Sequence, residues 1–365
     1  KISVNDVNEA PTIIYGGSGS IDENKTSIIT DLLALDPEGD TITWSLSGRD
    51  ASLFTIDVNG NVRAAGSGLN YETKPADGYK VDVTAIAGNT TATTALKISV
   101  NDVNEAPTMS ASGTGTVSEN LAAGAAVAGV TLSASDPEGN PVRWEIVSGN
   151  TNNAFAINPT TGAITTTAVL NREAIASYDL VVRAVDSGGL ASGNQTVRIN
   201  VGNVNESPVI TSFSDFSLDE NASAGTGLRV FEGSDPDQDS IHYEIVGGTG
   251  RDMFTISTDG TVRSLDRINY EAMGTDKFYT LDVQAVDSQG LRSDVKTIRV
   301  NINDISERPV INSSTVSELP ENRNPGQDVF AIIRGSDPEN NISRWEIVGG
   351  TGQNIFTISK STTDA

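Results

Sequence analysis

Apolar and polar residues alternate along much of this chain. Residues 80–85 read KVDVTA, 178–185 read YDLVVRAV and 279–286 read YTLDVQAV. Each run sends every second side chain to one face, which is the period of a half-buried β-strand. A glycine-bearing turn follows each run (Gly88, Gly188 with Gly189, Gly290), and after it another alternating run, as at 196–201 and 297–302. Two such runs joined by a turn predict an antiparallel hairpin. The remaining strand candidates are short, and no stretch reads as a helix longer than two turns.

The pattern is repeated. KISVNDVNEAPT stands at 1–12 and again at 97–108, identical at all twelve positions, with weaker copies VGNVNESP at 201–208 and INDISERP at 302–309. The closing prolines, at 11, 107, 208 and 309, set periods of 96, 101 and 101 residues. Units of that length are whole domains and not solenoid turns. About seven short strands in about 100 residues predict one Greek-key sandwich per unit. The expected fold class is therefore all-β: tandem seven-stranded, immunoglobulin-like β-sandwiches joined by short acidic connectors. The prolines divide the chain into 1–10 (the last strand and connector of a preceding unit), three complete units at 11–106, 107–207 and 208–308, and a partial unit at 309–365. The whole reads as a piece of a longer array. Half a sandwich cannot bury a core, so 309–365 is expected to be incompletely ordered or held by a partner chain. An aromatic recurs inside an apolar run of every unit, at Trp44, Trp144, Tyr243 and Trp345. These are expected in the core and not on a sugar-stacking surface.

Polar motifs keep the same step. An acidic turn appears as DPEGD (36–40), DPEGN (136–140), DPDQD (235–239) and DPENN (337–341). A Glu-Asn pair precedes each, at Glu23-Asn24, Glu119-Asn120, Glu220-Asn221 and Glu321-Asn322, and NYE, NRE and NYE follow at 70–72, 171–173 and 269–271. Composition sharpens their meaning. Against 24 Lys and Arg stand 48 Asp and Glu, a net charge of −24. Such a surface repels nucleic acid and anionic membranes and attracts multivalent cations, although plain solubility or a halophilic habitat yields the same balance. There is no cysteine and one histidine, which leaves no disulfide framework and in practice no zinc site. No apolar run approaches the length of a membrane span, so this stretch is not expected to insert.

At the junction of the first two complete units the candidates are Glu23, Asn70 and Glu72, then Asp102, Asn104 and Glu105 of the connector, then Asp136, Glu138, Asn140 and Asp186. If they converge, seven carboxylates repel one another unless a cation lies among them. An all-oxygen donor set of that kind suits calcium better than magnesium. If they stay apart, they are ordinary solvated loops.

In these motifs, in this order and repeated, the chain resembles tandem cadherin repeats, in style closer to the cadherin-like repeats of large bacterial surface adhesins. The resemblance covers almost the whole chain. It implies calcium ligands from a Glu-Asn motif (Glu23, Glu119, Glu220, Glu321), an LDRE-type motif, a connector, a DxD motif and an AxD motif. The LDRE-type motif keeps its Glu at Glu72, Glu173 and Glu271 but has Asn70, Asn171 and Asn269 where the family has Asp. The connectors supply Asp102, Asn104 and Glu105, then Asn203, Asn205 and Glu206, then Asp304 and Glu307, with Ser306 in place of Asn. The DxD motif becomes Asp36/Glu38, Asp136/Glu138, Asp235/Asp237 and Asp337/Glu339. The AxD motif is kept at Asp186 and Asp287 and lost in the first unit, where Ala87 stands. The site before the first unit is therefore expected to be weak or empty, and Asn203 to lower affinity at the second joint.

The role implied is a calcium-stiffened extender of an extracellular or cell-surface adhesin, partnered by calcium ions and neighbouring repeats. A binding module for homophilic adhesion or for polysaccharide is the alternative. Its loose aromatic candidates are Tyr15, Tyr71, Phe213 and Tyr270, in a chain of 5% aromatics. An enzyme is not expected. No carboxylate pair separates from the repeating pattern, no nucleophile motif is present, and His242 stands alone. The GGTG pieces at 247–250 and 349–352 precede no helix and read as turns, not phosphate loops.

Overall fold

The computed structural model describes the chain apart from Lys1, Val4, Asp6, Tyr15, Gly16, Val316, Ser317, Leu319, Asn322, residues 328–332 and residues 359–365. The chain divides into two compact units, Lys1–Val204 and Asn205–Ala365. The first holds two β-sandwiches; the second holds one and a further two-stranded sheet.

In the first sandwich the strands are β1 (Thr12–Ile13), β2 (Ser18–Asp22), β3 (Ile28–Asp31), β4 (Ala34–Leu35), β5 (Ile42–Ser47), β6 (Phe54–Ile56), β7 (Asn61–Ala64), β8 (Tyr79–Ala87) and β9 (Thr90–Asn101). One sheet has the order β2-β9-β8-β5; a second has β3-β7-β6, and β1 pairs with β4. The expected seven strands are present, with the first broken into β1 and β2 and the second into β3 and β4. The break lets the leading strand serve both sheets. Its second piece pairs with β9 in parallel, Ser18 opposite Lys97 and Asp22 opposite Asn101, so the strands are not all antiparallel as the alternation suggested. Alternation cannot reveal this, because it reports which face is buried and not the direction of the neighbour.

The second sandwich repeats the plan. Gly115–Ser118 runs parallel to Gln195–Gly202, which pairs antiparallel with Ser177–Val185, which pairs with Arg143–Ser148. In the third, Phe216–Asp219, Lys296–Asn303, Phe278–Val286 and His242–Gly247 stand in the same order. Helix among the described residues is limited to two single turns, Ala51–Leu53 and Thr151–Asn153.

Alternation builds the cores. In β8 every second residue from Tyr79 to Ala87 is buried, and these meet Leu96, Ile98 and Val100 of β9 across the hairpin. Phe54, Val62 and Leu69 come from the opposite side. Leu180, Val182 and Ile199 occupy the second core, and Leu281, Val283, Ile298 and Val300 the third. Trp144 and Tyr243 are buried, and Trp44 packs half-buried against the first core. Trp345 is also half-buried. Beyond the third sandwich, Val310–Ser314 pairs with Ile333–Ser336, and Val310, Ile311, Val348 and Ile355 are all exposed. That sheet has no second layer among the described residues.

Two local devices fix the loops that carry acidic residues. The Asn of each described Glu-Asn pair lies in the left-handed region, at φ 60° for Asn24 and Asn120 and 57° for Asn221. Asn tolerates that region better than most residues. The fourth residue of each acidic turn does the same, as Gly39, Gly139, Gln238 and Asn340. The leading Asp caps its own turn: Asp36 Oδ1 accepts from the backbone N–H of Glu38 at 3.1 Å and of Asp40 at 3.0 Å.

Candidate cation centre

The lower loops of the first sandwich, the connector and the upper loops of the second meet within the first compact unit. Glu23 is 1% exposed. Its Oε2 accepts from the Tyr71 N–H at 3.0 Å and its Oε1 from the Val103 N–H at 2.8 Å, so one carboxylate ties the NYE loop to the connector. Glu72 beside it accepts from Asn70 Nδ2 at 2.9 Å, while Asn70 Oδ1 caps the loop through the Thr73 N–H at 2.7 Å. From the far side the Glu105 N–H donates to Glu138 Oε1 at 3.2 Å. Asn104 Nδ2 donates to Asp186 Oδ2 at 2.7 Å. One carboxylate oxygen from each of Glu23, Glu72, Asp102 and Glu138 lies within 4.8 Å of all the others. Asp136 and Asp186 are buried just outside this group, each capping its own loop through Oδ1: Asp136 to the Asn140 N–H at 3.0 Å, Asp186 to the Leu190 N–H at 2.8 Å.

The second compact unit contains a matching arrangement. Glu220 is buried and accepts from the Tyr270 N–H at 2.8 Å and the Ile305 N–H at 2.9 Å. The Glu307 N–H donates to Glu339 Oε1 at 2.7 Å, and Asn269 Oδ1 caps its loop through the Ala272 N–H at 2.6 Å. Oxygens of Glu220, Glu271 and Glu307 converge within 4.8 Å, as do those of Glu271, Asp304 and Glu339. Asp337 is buried beside them, its Oδ1 accepting from the Asn341 N–H at 3.4 Å.

The remaining candidates sit as follows. In the first unit Glu119 is buried and accepts from the N–H groups of Arg172 (2.6 Å) and Val204 (2.9 Å). Asn171 Oδ1 caps its loop at the Ala174 N–H (2.6 Å), and Glu173 is exposed. Asn203, at the position equivalent to Asp102, has its Oδ1 accepting from Arg172 Nη1 at 2.6 Å, so an amide bonded to a guanidinium takes the place of a carboxylate. In the second unit Asn205 Nδ2 donates to Asp287 Oδ2 at 2.7 Å and the Glu206 N–H to Asp237 Oδ2 at 2.9 Å. Asp235 Oδ1 caps its turn at the Asp237 N–H, 2.9 Å away. Glu321 is exposed, and Asn322 lies outside the described residues.

The electrostatics of the acidic groups are unbalanced. Asp136 Oδ2, Glu105 Oε2, Glu138 Oε2, Glu271 Oε2, Glu307 Oε2 and Glu339 Oε2 are buried with no hydrogen-bond partner. Buried carboxylate oxygens normally have one. Glu105 is pushed up to about 7, first by the hydrogen bond it shares with Glu138, then by burial and by the charge of Glu23, while Glu138 is lowered by the same hydrogen bond. Glu307 is likewise raised to about 7 by Glu339, with burial and the charges of Glu220 and Glu271 adding to it. Glu339 falls to about 2, chiefly because the Glu307 N–H donates to it. In each pair two carboxyl groups crowd one another, so ionising both together is disfavoured. The converging donors are all oxygen, from residues that run from buried Glu23 to exposed Glu72 and Asp102, and such a set fits a hard divalent ion.

Some contacts were not foreseeable from the motifs. Asn24 Nδ2 donates to Glu105 Oε1 at 2.5 Å, and Asn221 Nδ2 to Glu307, so the second residue of the Glu-Asn pair grips the connector Glu. The repeated asparagine was the available signal. The loose aromatics do not form a platform: Lys74 lies over the Tyr71 ring and Lys277 over the Tyr270 ring. Phe213 is exposed with Lys296 above it, and Tyr15 lies outside the described residues. His242 lies 3.5 Å from Glu244 on an exposed sheet face. Both Gly248 and Gly350 adopt φ above 90° in turns that lead into no helix.

Sandwiches of this topology, with the leading strand shared between sheets and acidic loops at the connectors, define a class of modular β-repeat proteins. Residues 114–202 and 214–303 each match the family model described as "Cadherin domain", so these two stretches are tandem cadherin domains. Human Protocadherin Fat 1 is 31% identical over 292 residues, 73% of this chain and 6% of that protein. Mouse Cadherin-8 is 30% identical over 340 residues, 84% of this chain and 41% of that protein. The chain thus spans well under half the length of these relatives. Among solved structures, the Protocadherin GammaB4 extracellular domain superposes with a TM-score of 0.63 at 21% identity, over 92% of this chain and 57% of that one. Mouse Cadherin-23 EC22-24 gives 0.61 at 22% identity, over 82% of this chain and all of that one. These likenesses concern the fold. No described helix is long and apolar enough to cross a membrane.

Proposed function

We propose that this chain is a calcium-binding, calcium-rigidified extender segment of an extracellular adhesion protein, holding a more distal binding region away from the cell surface. The observation that carries the reading is the convergence of Glu23, Glu72, Asp102 and Glu138, with buried carboxylate oxygens beside them that have no partner. Glu23 and Glu72 belong to one sandwich, Asp102 to the connector and Glu138 to the next, so an ion held by all four ties two domains and their link together. Calcium would supply the positive charge that lets these groups ionise together. The protein's own part is to position them. Glu23 holds the NYE loop and connector in register, Asn70 and Asp136 cap the flanking turns, and Asn104 pins the connector to Asp186. In the second unit Glu220, Glu271, Asp304, Glu307 and Glu339 would do the same. The similar proteins are named as cadherins and protocadherins, which supports an adhesive and not a catalytic role. The relatives named above are animal proteins and lend no support to the bacterial-adhesin style of the resemblance.

Small-angle scattering of the chain in millimolar calcium and in excess chelator tests the mechanical claim. The expected result is a profile that becomes more flexible on chelation. Superimposable profiles would reduce the acidic motifs to capped turns and remove the mechanical role.

A further inference from the structure

The connector ahead of the first sandwich is anchored differently from the next two. At both later connectors an Asn side chain donates to a buried carboxylate: Asn104 to Asp186 and Asn205 to Asp287, each at 2.7 Å. Those aspartates open loops of nine residues, 186–194 and 287–295, that link the last two strands of their sandwiches. In the first sandwich Ala87 replaces the aspartate. It is fully buried and pairs directly with Thr90, so the link shrinks to Gly88 and Asn89.

The shorter hairpin nonetheless reaches the connector. Asn8 Nδ2 donates to Asn89 Oδ1 at 3.0 Å and to Thr90 Oγ1 at 3.3 Å, and the Thr90 hydroxyl lies 2.8 Å from the Glu9 carbonyl oxygen, to which it donates. The Glu9 N–H still donates to Glu38 Oε2 at 3.1 Å, as the Glu105 N–H does to Glu138. At the three connectors that have this Asn it is held, twice by an anion and once by a neutral amide and hydroxyl.

We infer that Asn89 and Thr90 are positioning residues forming an uncharged clamp on this connector, in place of the aspartate used at the next two. An amide-hydroxyl pair satisfies the Asn8 donor without itself adding a charge, so the clamp needs no ion to form. Only the contrast with the later connectors rests on the calcium reading; the clamp itself does not. The dodecamer shared by 1–12 and 97–108 is thus held by a neutral contact at its first copy and by an anionic one at its second.

Hydrogen exchange of the full chain in chelator tests this. The Glu9 amide, which donates to Glu38, is expected to be protected without calcium. In Asn89→Ala/Thr90→Val its exchange should rise by about ten-fold, with the amides of 79–86 unchanged as the control for folding. Asn8→Ala leaves the hairpin intact and should act alike. The clamp is overturned if the Glu9 amide of the wild type exchanges in chelator as in an unstructured peptide, or if the variants leave it unchanged. The Val103 and Glu105 amides, compared with and without calcium, test the calcium reading separately; if they ignore calcium, that reading falls while the variants still decide the clamp.

Discussion

The glutamates that anchor the loops do two jobs, and the two separate experimentally. Glu23 is buried and satisfies two backbone N–H groups, from Tyr71 and Val103. Glu23→Ala strands both donors, so it should destabilise the first sandwich by about 1–3 kcal/mol even in chelator. Urea unfolding read with and without calcium checks this, and the variant should also lose the calcium response of its own sandwich. Glu105 supplies a pH signature. Its pKa in the folded chain is about 7, above the ordinary 4.5. Folded protein therefore binds more protons than unfolded between those values, and stability in chelator should fall as pH rises from about 4.5 to about 7. Glu307 contributes in the same direction and window. Calcium bound as proposed would favour the ionised carboxylates, so melting temperatures recorded in calcium should lose this decline. A chelated protein whose melting temperature rises across that window would contradict the raised pKa values.

At the scale of elements, sequence and structure agree where the argument rests on period. Each of the three long hairpins forms within a residue or two of its alternating run, because an alternating face has only one way to be buried. The split of the leading strand was not legible. Residues 12–22 alternate weakly, and the parallel partnership of β2 with β9 is a long-range pairing that local pattern does not encode. The candidate ligands were legible as motifs, since repetition at a fixed offset picks them out from ordinary turns. What repetition does not give is which of them meet. Asp102 joins Glu23, Glu72 and Glu138, whereas Asp136 and Asp186 stand just outside that group. Arg172 shows the same limit, because its engagement of Asn203 depends on a rotamer and not on a motif. Turn glycines carry a further element-scale expectation. Gly60 has φ +82° and a Cβ there would lie 2.3 Å from the Leu32 carbonyl oxygen. Gly260 repeats this, with φ +81° and 2.1 Å to the Phe231 carbonyl oxygen. Gly60→Ala should cost more than about 1 kcal/mol in chemical denaturation and Gly39→Ala less, because nothing lies within 4 Å of the Gly39 site.

For the whole molecule, the dominant physical fact is a net charge of −24 distributed over repeats whose acidic loops recur at each connector. Self-repulsion of this size favours separation of the domains unless cations neutralise the loops. On the proposed function the joints need divalent ions, whereas each core is closed by its own apolar residues. Isothermal calorimetry of the metal-stripped chain titrated with calcium should show saturable binding of more than one ion per chain, in the range of about 10⁻⁴–10⁻³ M or tighter. Glu23→Gln together with Glu220→Gln should abolish most of that heat while the fold persists. A flat titration, or one that the double variant leaves unchanged, would contradict it.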